Sequence, residues 1–297
     1  MKYIVRRLSI GNPGFVEISR KRFNEVKEAR EGLFNVLSNE EKFNILCENY
    51  YEFEKELLDI RLRNTVFKGA DWSALQNEIY LIERRLINFL TSSRLYLDQL
   101  RHSVNFVYGT TTLDSFNKKA SEQYDAKLGY RAVEAVRNFV QHRSLIVSAL
   151  SLQASFSKAD QVIKGTITPS LNLNRIKKVG GFKAKVLREL AEQGETFNLK
   201  PLIREAMEGY GAIHGYVREL SEPRIPTWEK VLSETRKSYT DKLGDGDFVL
   251  GVDAINVSGK VKESLVIFED FKKRRKWLYE RNRTDVRYSS HVVTSGD

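Results

Sequence analysis

The sequence predicts a mainly α-helical protein whose C-terminal half is of the α+β type. Three observations carry this prediction. Apolar residues recur every three or four positions between about residues 22 and 146, as they do in amphipathic helices. No proline interrupts that stretch, since none occurs between Pro13 and Pro169. Later segments alternate apolar and polar residues, as half-buried strands do.

The chain opens with a predicted β-hairpin, in which KYIVRRLSI and FVEISRKRF flank the turn sequence GNPG. About four helices are expected after it, and the first begins near residue 22. Ser38 and Glu41 have the spacing of a capping box, which predicts that a helix begins at Ser38. The next helix is expected to begin near Asp71. A fourth helix is predicted from about Leu113 to His142, with a kink near Gly129. These helices are expected to form an antiparallel bundle.

The second half is predicted to mix strands and helices. LIVSALSLQASF and QVIKGTITPSLNLNRI indicate two antiparallel strands, and DFVLGVDAINVSGKVKESLVIFED indicates a hairpin around Ser258 and Gly259. Helices are expected after Gly181, from about Leu199 to Leu220, after Pro226, and in FKKRRKWLYERNR. We therefore expect two regions: residues 1–147 with the hairpin and bundle, and the α+β residues 148–297.

Composition narrows the function classes. The chain of 297 residues has a formal net charge of +10, which favours a polyanionic partner such as RNA. Cys47 is the single cysteine, so an internal disulfide or a CxxC zinc site is excluded, and a cytoplasmic location is expected. The apolar run at the N-terminus is too short for a signal peptide, and no segment is long enough to cross a membrane.

The sequence RNFVQH ends the predicted fourth helix. A helical residue turns by about 100°, so Glu134, Asn138 and His142, spaced four apart, share one face. Arg137 lies about 140° from His142, and its long side chain can bend across that gap. The valines of this segment point to the core. The helix thus presents a polar edge that consists of Glu134, Arg137, Asn138, Gln141 and His142.

Such an edge has the groups needed to cleave RNA without a metal. The 2′-hydroxyl of RNA is the nucleophile, and histidine can act as base or acid near neutral pH. Arg137 can stabilise the charge on the phosphorane through its bidentate guanidinium, and Asn138 can bond the phosphate or orient His142. One imidazole cannot easily serve as both acid and base. A site at a dimer interface is therefore favoured, because each of the two chains would supply one imidazole. A solvated helix face has the same Arg-x4-His spacing, and this alternative stays open.

In the stretch YRAVEAVRNFVQHRS, the chain resembles the HEPN superfamily (higher eukaryotes and prokaryotes nucleotide-binding domain). The hallmark of that family is an Arg, a polar residue that is often Asn, and a His a few residues later, on the last long helix of a small bundle. Arg137, Asn138 and His142 match these positions, and Glu134 matches an acidic residue one turn earlier. The resemblance covers about residues 22–147.

The resemblance implies a metal-independent endoribonuclease that acts as a homodimer or higher homo-oligomer, with no cofactor. HEPN proteins occur in toxin–antitoxin modules and anti-phage defence, which implies a neutralising or sensor partner protein. Some members only bind RNA or assemble complexes, so a non-catalytic RNA-binding or scaffold module is the alternative. The second half of the chain could bind substrate, sense a trigger or restrain the nuclease.

A second basic segment lies near the C-terminus. Its cations, interleaved with the aromatic residues Trp277 and Tyr279, suit RNA backbone and base contacts, although a solvated helix face explains them equally well. A membrane-surface role is a less favoured alternative, because the helix is short. The candidate RNA-binding residues of this segment are Lys272, Lys273, Arg274, Arg275, Lys276 and Trp277. Gln141 and Arg143, at the end of the predicted fourth helix, are the other candidates.

The remaining histidines and the glycine pair give weaker signals. His102 is expected to be a satisfied surface or inter-helix histidine, with a role in the site as the alternative. His214 and His291 have no Cys, Asp or Glu at ligand spacing, so no metal site is predicted. The glycines of KVGGFKAK predict a simple loop, and a phosphate-contacting turn is the alternative.

Overall fold

The computed structural model describes residues 1–9, 14–67, 71–158, 161–267 and 270–293. The chain divides into two compact units, and each of them is discontinuous in sequence. Unit 1 consists of Met1–Glu41 and Val217–Arg281, and unit 2 of Lys42–Tyr216 and Asn282–Asp297. Residue 147, near which the sequence predicts a boundary, lies inside unit 2. The N-terminal hairpin groups with C-terminal elements in unit 1.

The described residues form a mainly helical fold with two small antiparallel sheets, as the sequence predicts. The helices are α1 (Arg20–Val66), α2 (Trp72–Tyr108), α3 (Thr110–Ala126), α4 (Leu128–His142), α5 (Leu173–Val179), α6 (Ala184–Ala191), α7 (Leu199–Ser221), α8 (Ile225–Leu243) and α9 (Asp270–Arg281). The strands are β1 (Lys2–Arg7), β2 (Phe15–Ile18), β3 (Ala149–Ser157), β4 (Val162–Asn172), β5 (Thr196–Asn198), β6 (Leu250–Ile255) and β7 (Val261–Ile267).

Unit 1 is built on the sheet with strand order β2-β1-β6-β7. Both predicted hairpins are present, although residues 10–13 of the first turn lie outside the described residues. The two hairpins join through β1 and β6, where Val5 lies opposite Val252. Val5 and Val252 are fully buried and pack in a core with Val26 of α1 and Tyr239 of α8. Burial of β-branched side chains on one face therefore holds together segments from both ends of the chain.

Helix α1 is continuous, so the predicted start at Ser38 is wrong. Buried Val36 and Leu37 precede Ser38, and buried Phe43 and Leu46 follow it. An uninterrupted apolar stripe without proline keeps the helix going, and a capping-box spacing alone cannot end the preceding turn.

The predicted start of α2 is confirmed. Asp71 is its N-cap in an extended conformation, and its Oδ1 accepts a hydrogen bond from the Ala74 backbone N–H at 2.9 Å.

The predicted fourth helix consists of two helices, α3 and α4. They are separated at Lys127, whose backbone is extended, two residues before the expected kink. In unit 2 both helices contact α2. Strands β3 and β4 pair as predicted, and the short β5 extends their sheet in the order β3-β4-β5.

Candidate functional site

The start of α4 is fixed by a close crossing with α7. A Cβ atom at Gly129 would lie 2.3 Å from the Leu202 carbonyl oxygen and 2.7 Å from Cβ of Glu205. Only glycine allows this approach. The Glu205 carboxylate also accepts a hydrogen bond from the Gly129 backbone N–H at 2.5 Å, which satisfies one donor of the first helical turn.

Arg131, the first arginine of α4, has a structural role. It is buried, and its Nη1 donates to the carbonyl oxygens of Tyr124 and Asp125 at 2.9 and 2.5 Å. Its Nη2 lies 2.9 Å from a carboxylate oxygen of Glu189 on α6. Arg131 therefore satisfies the last carbonyls of α3 and links α3, α4 and α6.

The apolar side of α4 packs in the core, as predicted. Val133, Val136 and Phe139 are buried and Val140 is half-buried. Burial of this face fixes the rotation of the helix, so the polar side chains must lie along its other edge.

The structure brings Arg137 and Asn138 together on that edge. Arg137 Nη1 donates a hydrogen bond to Asn138 Oδ1 at 2.9 Å. This bond directs the amide oxygen toward Arg137, and among the described residues Asn138 Nδ2 has no acceptor. The pair therefore presents hydrogen-bond donors to solvent, which suits an anion such as phosphate.

Glu134 lies one turn earlier and faces arginines of α2. Its carboxylate is 3.8 Å from Arg94 Nη1. Burial raises the pKa of Glu134 above its ordinary value, although Arg94, Arg137 and Arg101 act in the opposite direction. Three guanidinium groups thus influence one half-buried carboxyl group, which makes this edge of α4 the main charge cluster near the motif.

Sequence reasoning missed the contribution of α2. Arg94, Asp98 and Arg101 occur at positions i, i+4 and i+7, so they share one helix face. Asp98 bonds Arg94 at 2.8 Å and Arg101 at 3.3 Å. That spacing was the available signal, but only tertiary packing shows that this face influences Glu134.

His142 and Gln141 are exposed in the last turn of α4. Within the described ranges, the His142 imidazole forms no hydrogen bond or ion pair, and Asn138 does not orient it. The predicted side chains therefore lie on one edge, and among the described residues the hydrogen bond within this set joins Arg137 to Asn138.

Two side chains fix the chain after α4: Glu83, which is buried, and Arg175, which is exposed. Glu83 of α2 accepts hydrogen bonds from the backbone N–H groups of Ile146 and Val147 at 2.5 and 2.9 Å. Burial raises the pKa of Glu83, and these bonds oppose that shift. Arg175 of α5 donates to Ser144 Oγ at 3.0 Å and to the Leu145 carbonyl oxygen at 3.1 Å. The exit of the helix that bears His142 is therefore held in place.

The glycine pair of KVGGFKAK lies beside the motif. Gly181 has a φ of +106°, and a Cβ atom there would lie 3.5 Å from Cγ of the exposed Arg143. The rings of Phe139 and Phe182 meet edge-on at 5.7 Å. The turn after α5 is thus a neighbour of α4, which its sequence did not indicate.

The C-terminal candidate residues lie in unit 1, whereas the RNFVQH residues lie in unit 2. Arg275 is only 9% exposed, and it bonds Glu229 at 2.7 Å, so it does not belong to an exposed basic face. Lys272 bonds the same carboxylate at 2.7 Å.

The other C-terminal candidates are exposed. Lys273, Arg274, Lys276 and Trp277 all lie on the open side of α9. The Trp277 ring already stacks with the guanidinium groups of Arg274 and Arg281, at 4.7 and 5.0 Å. A stacking base would have to displace one of these cations.

The remaining histidines are explained locally. His214 is fully buried, hydrogen-bonds the Tyr96 hydroxyl through Nδ1 at 2.8 Å, and stacks on Phe43 at 4.0 Å. His102 is exposed, and His291 Nδ1 bonds the Arg287 carbonyl oxygen at 2.7 Å. In the part of the chain that the structure describes, no three His, Cys, Asp or Glu side chains gather as a metal site would require.

In comparisons with known proteins, no family model, no curated protein and no solved structure matches the chain. The resemblance of α4 to the HEPN superfamily therefore stays a prediction. Among the described residues, no helix has the length and apolarity needed to cross a membrane.

Proposed function

We propose that this chain is a metal-independent endoribonuclease of HEPN type, with its active site on the polar edge of α4. The observation that carries the proposal is the hydrogen bond from Arg137 to Asn138, which leaves an exposed pair of donors for a phosphate. The net charge of +10 supports an RNA partner.

In the proposed reaction, a base removes the proton of the ribose 2′-hydroxyl, and the 2′-oxygen attacks the adjacent phosphorus. The bond to the 5′-oxygen breaks, and an acid protonates that oxygen, so the products carry a 2′,3′-cyclic phosphate and a 5′-hydroxyl. Arg137 and Asn138 stabilise the phosphorane, and Glu134 holds the arginines in place.

His142 supplies one imidazole, and the second comes from another copy of the chain. We therefore propose a composite site in a homodimer or higher homo-oligomer, with the two RNFVQH edges facing each other. By the family resemblance, the setting is a cytoplasmic toxin or anti-phage system with a neutralising or sensor protein partner.

A non-catalytic RNA-binding module is the second candidate. It is favoured by the His142 side chain, which has no orienting partner among the described residues, whereas catalytic histidines are usually held by a second group. In this case Arg137 and Asn138 bind phosphate, and no bond is broken.

The test compares RNA cleavage and RNA binding in EDTA for the wild type and for His142→Ala. The endoribonuclease predicts cleavage by the wild type, loss of cleavage in the variant, and retained binding by both. If the wild type binds RNA and never cleaves it, the binding module is correct. Light scattering at micromolar concentration is expected to show at least a dimer, and a monomer would contradict the composite site.

A further inference from the structure

Unit 1 contains a cavity of about 310 Å³ that no step of the proposed reaction uses. It lies among α1, α8, β7 and α9, all within residues of that unit. Ligand pockets in proteins begin at about this volume, so a small organic molecule fits.

Part of the cavity lining is apolar. It is formed by hydrocarbon side chains from all four elements, and Ile267 among them is only 7% exposed. These residues are Leu33, Leu232, Val266, Ile267 and Phe271. A hydrocarbon group placed against them leaves water, which is favourable at about 25 cal/mol per Å² of apolar area.

Much of the remaining lining is cationic. Five basic side chains line it against a single carboxylate, Glu229; they are Arg30, Arg236, Lys272, Lys273 and Arg275. Burial opposes ionisation of Glu229, but its bonds with Lys272 and Arg275 leave its pKa below the ordinary value, so it remains a carboxylate. Arg236 also pairs with Asp245 at 3.8 Å, so these two carboxylates neutralise only part of the charge. The excess positive charge favours an anionic ligand.

Donors for such an anion are present among these cations. Arg275 is 9% exposed, and its bond to Glu229 uses one nitrogen, Nη2. Arg30 uses Nε to bond the Val266 carbonyl oxygen at 2.9 Å. Lys273 is exposed and forms no ion pair with a described residue. Guanidinium and ammonium groups therefore remain for a carboxylate or a phosphate.

The body of the ligand is better matched by a hydrocarbon than by a nucleobase. Ser233 is the one neutral polar side chain among the described residues that line the cavity, and the Glu229 carboxylate is engaged by two cations. A base needs several hydrogen-bond partners on its edge, and burial without them is unfavourable.

We propose that this cavity binds a small organic anion with a hydrocarbon body, which packs against the apolar residues while its carboxylate or phosphate contacts Lys273, Arg30 and Arg275. The site is in unit 1, so it stands whether or not the α4 motif cleaves RNA.

Ligand-observed NMR titration of the full chain tests the proposal. The probes are octanoate and hexyl phosphate, with 1-octanol, inorganic phosphate and adenosine monophosphate as comparisons. Octanoate and hexyl phosphate together show whether the head group is a carboxylate, a phosphate or either. At least one of them is expected to bind about tenfold more tightly than octanol and inorganic phosphate, because only the complete ligand contacts both the apolar and the cationic residues of the lining.

Variants assign the binding to the cavity. Lys273→Glu is expected to weaken binding about tenfold by reversing a charge, and Leu232→Trp to abolish it by filling the space. Lys242→Glu, an exposed lysine of α8 outside the cavity, is the matched control and binds as the wild type does. Circular dichroism checks that each variant folds. Equal binding of octanoate and octanol, tighter binding of adenosine monophosphate, or unchanged binding by both Lys273→Glu and Leu232→Trp would overturn the proposal.

Discussion

Arg137 and Asn138 are neighbours in sequence whose side chains also bond each other, with Arg137 Nη1 2.9 Å from Asn138 Oδ1. This bond fixes the orientation of the Asn138 amide, because the amide oxygen faces the Arg137 guanidinium. Its nitrogen is then left as a donor beside the guanidinium, and this pair is the phosphate-binding element of the proposed site.

Arg137→Ala is expected to reduce RNA cleavage about 100-fold, because it removes the main cation for the phosphorane and releases Asn138 from its orientation. Cleavage rates under saturating RNA measure this loss. Arg84→Ala, which removes an exposed arginine from the neighbouring α2, is the control and is expected to cleave at the wild-type rate. Equal losses in the two variants would mean that Arg137 acts only through net charge.

Glu134→Gln is expected to change how stability depends on pH. Because the pKa of Glu134 is raised in the folded chain, the folded state binds this proton more tightly than the unfolded state does. The stability that this proton contributes is present at low pH, and it is lost as the pH rises from the ordinary pKa of 4.5 through the raised pKa of Glu134. Urea unfolding from about pH 4 to about pH 7 should show the wild type losing stability relative to the variant. Parallel curves would argue against a raised pKa.

Glu83→Ala is expected to destabilise unit 2 by about 2 kcal/mol, because two buried N–H groups lose their acceptor. Hydrogen exchange at the amides of Ile146 and Val147 measures the loss locally. Glu83→Gln keeps one acceptor oxygen and serves as the control, with a smaller increase in exchange. Unchanged protection of both amides in the alanine variant would show that Glu83 does not anchor this segment.

Arg218→Ala is expected to destabilise unit 1 by about 3 kcal/mol, because it leaves the Glu40 carboxylate buried without its guanidinium. Arg218 bonds both oxygens of Glu40, at 2.8 and 2.6 Å, and their side chains are 10% and 3% exposed. Fluorescence of the buried Trp228 during urea unfolding follows this unit. The double variant Arg218→Met, Glu40→Leu should lose less stability, and a loss equal to that of the single variant would contradict the explanation.

Local patterns in the sequence predicted much of the fold. The apolar stripe of α4, the cap at Asp71 and both N- and C-terminal hairpins depend on residues close in sequence, and each is present. Ser38 shows the limit of such signals, because its capping-box spacing occurs inside a helix that packing keeps continuous.

Features that depend on contacts between residues far apart in the chain could not be predicted from local sequence patterns. The pairing of β1 with β6 joins segments more than 240 residues apart. The influence of α2 arginines on Glu134 depends on which helix faces meet, and periodicity does not specify that. Arg275 lies in a run of exposed basic residues, yet its ion pair with Glu229 of α8 buries it.

The ends of the RNA products test the central claim most directly. Wild-type chain, incubated with RNA in EDTA, is expected to give 2′,3′-cyclic phosphate and 5′-hydroxyl ends, and His142→Ala is expected to give none, because the imidazole transfers a proton in the reaction. Mass spectrometry of the fragments distinguishes these ends from others. Products with 3′-hydroxyl and 5′-phosphate ends, or undiminished cyclic phosphate from His142→Ala, would contradict the account.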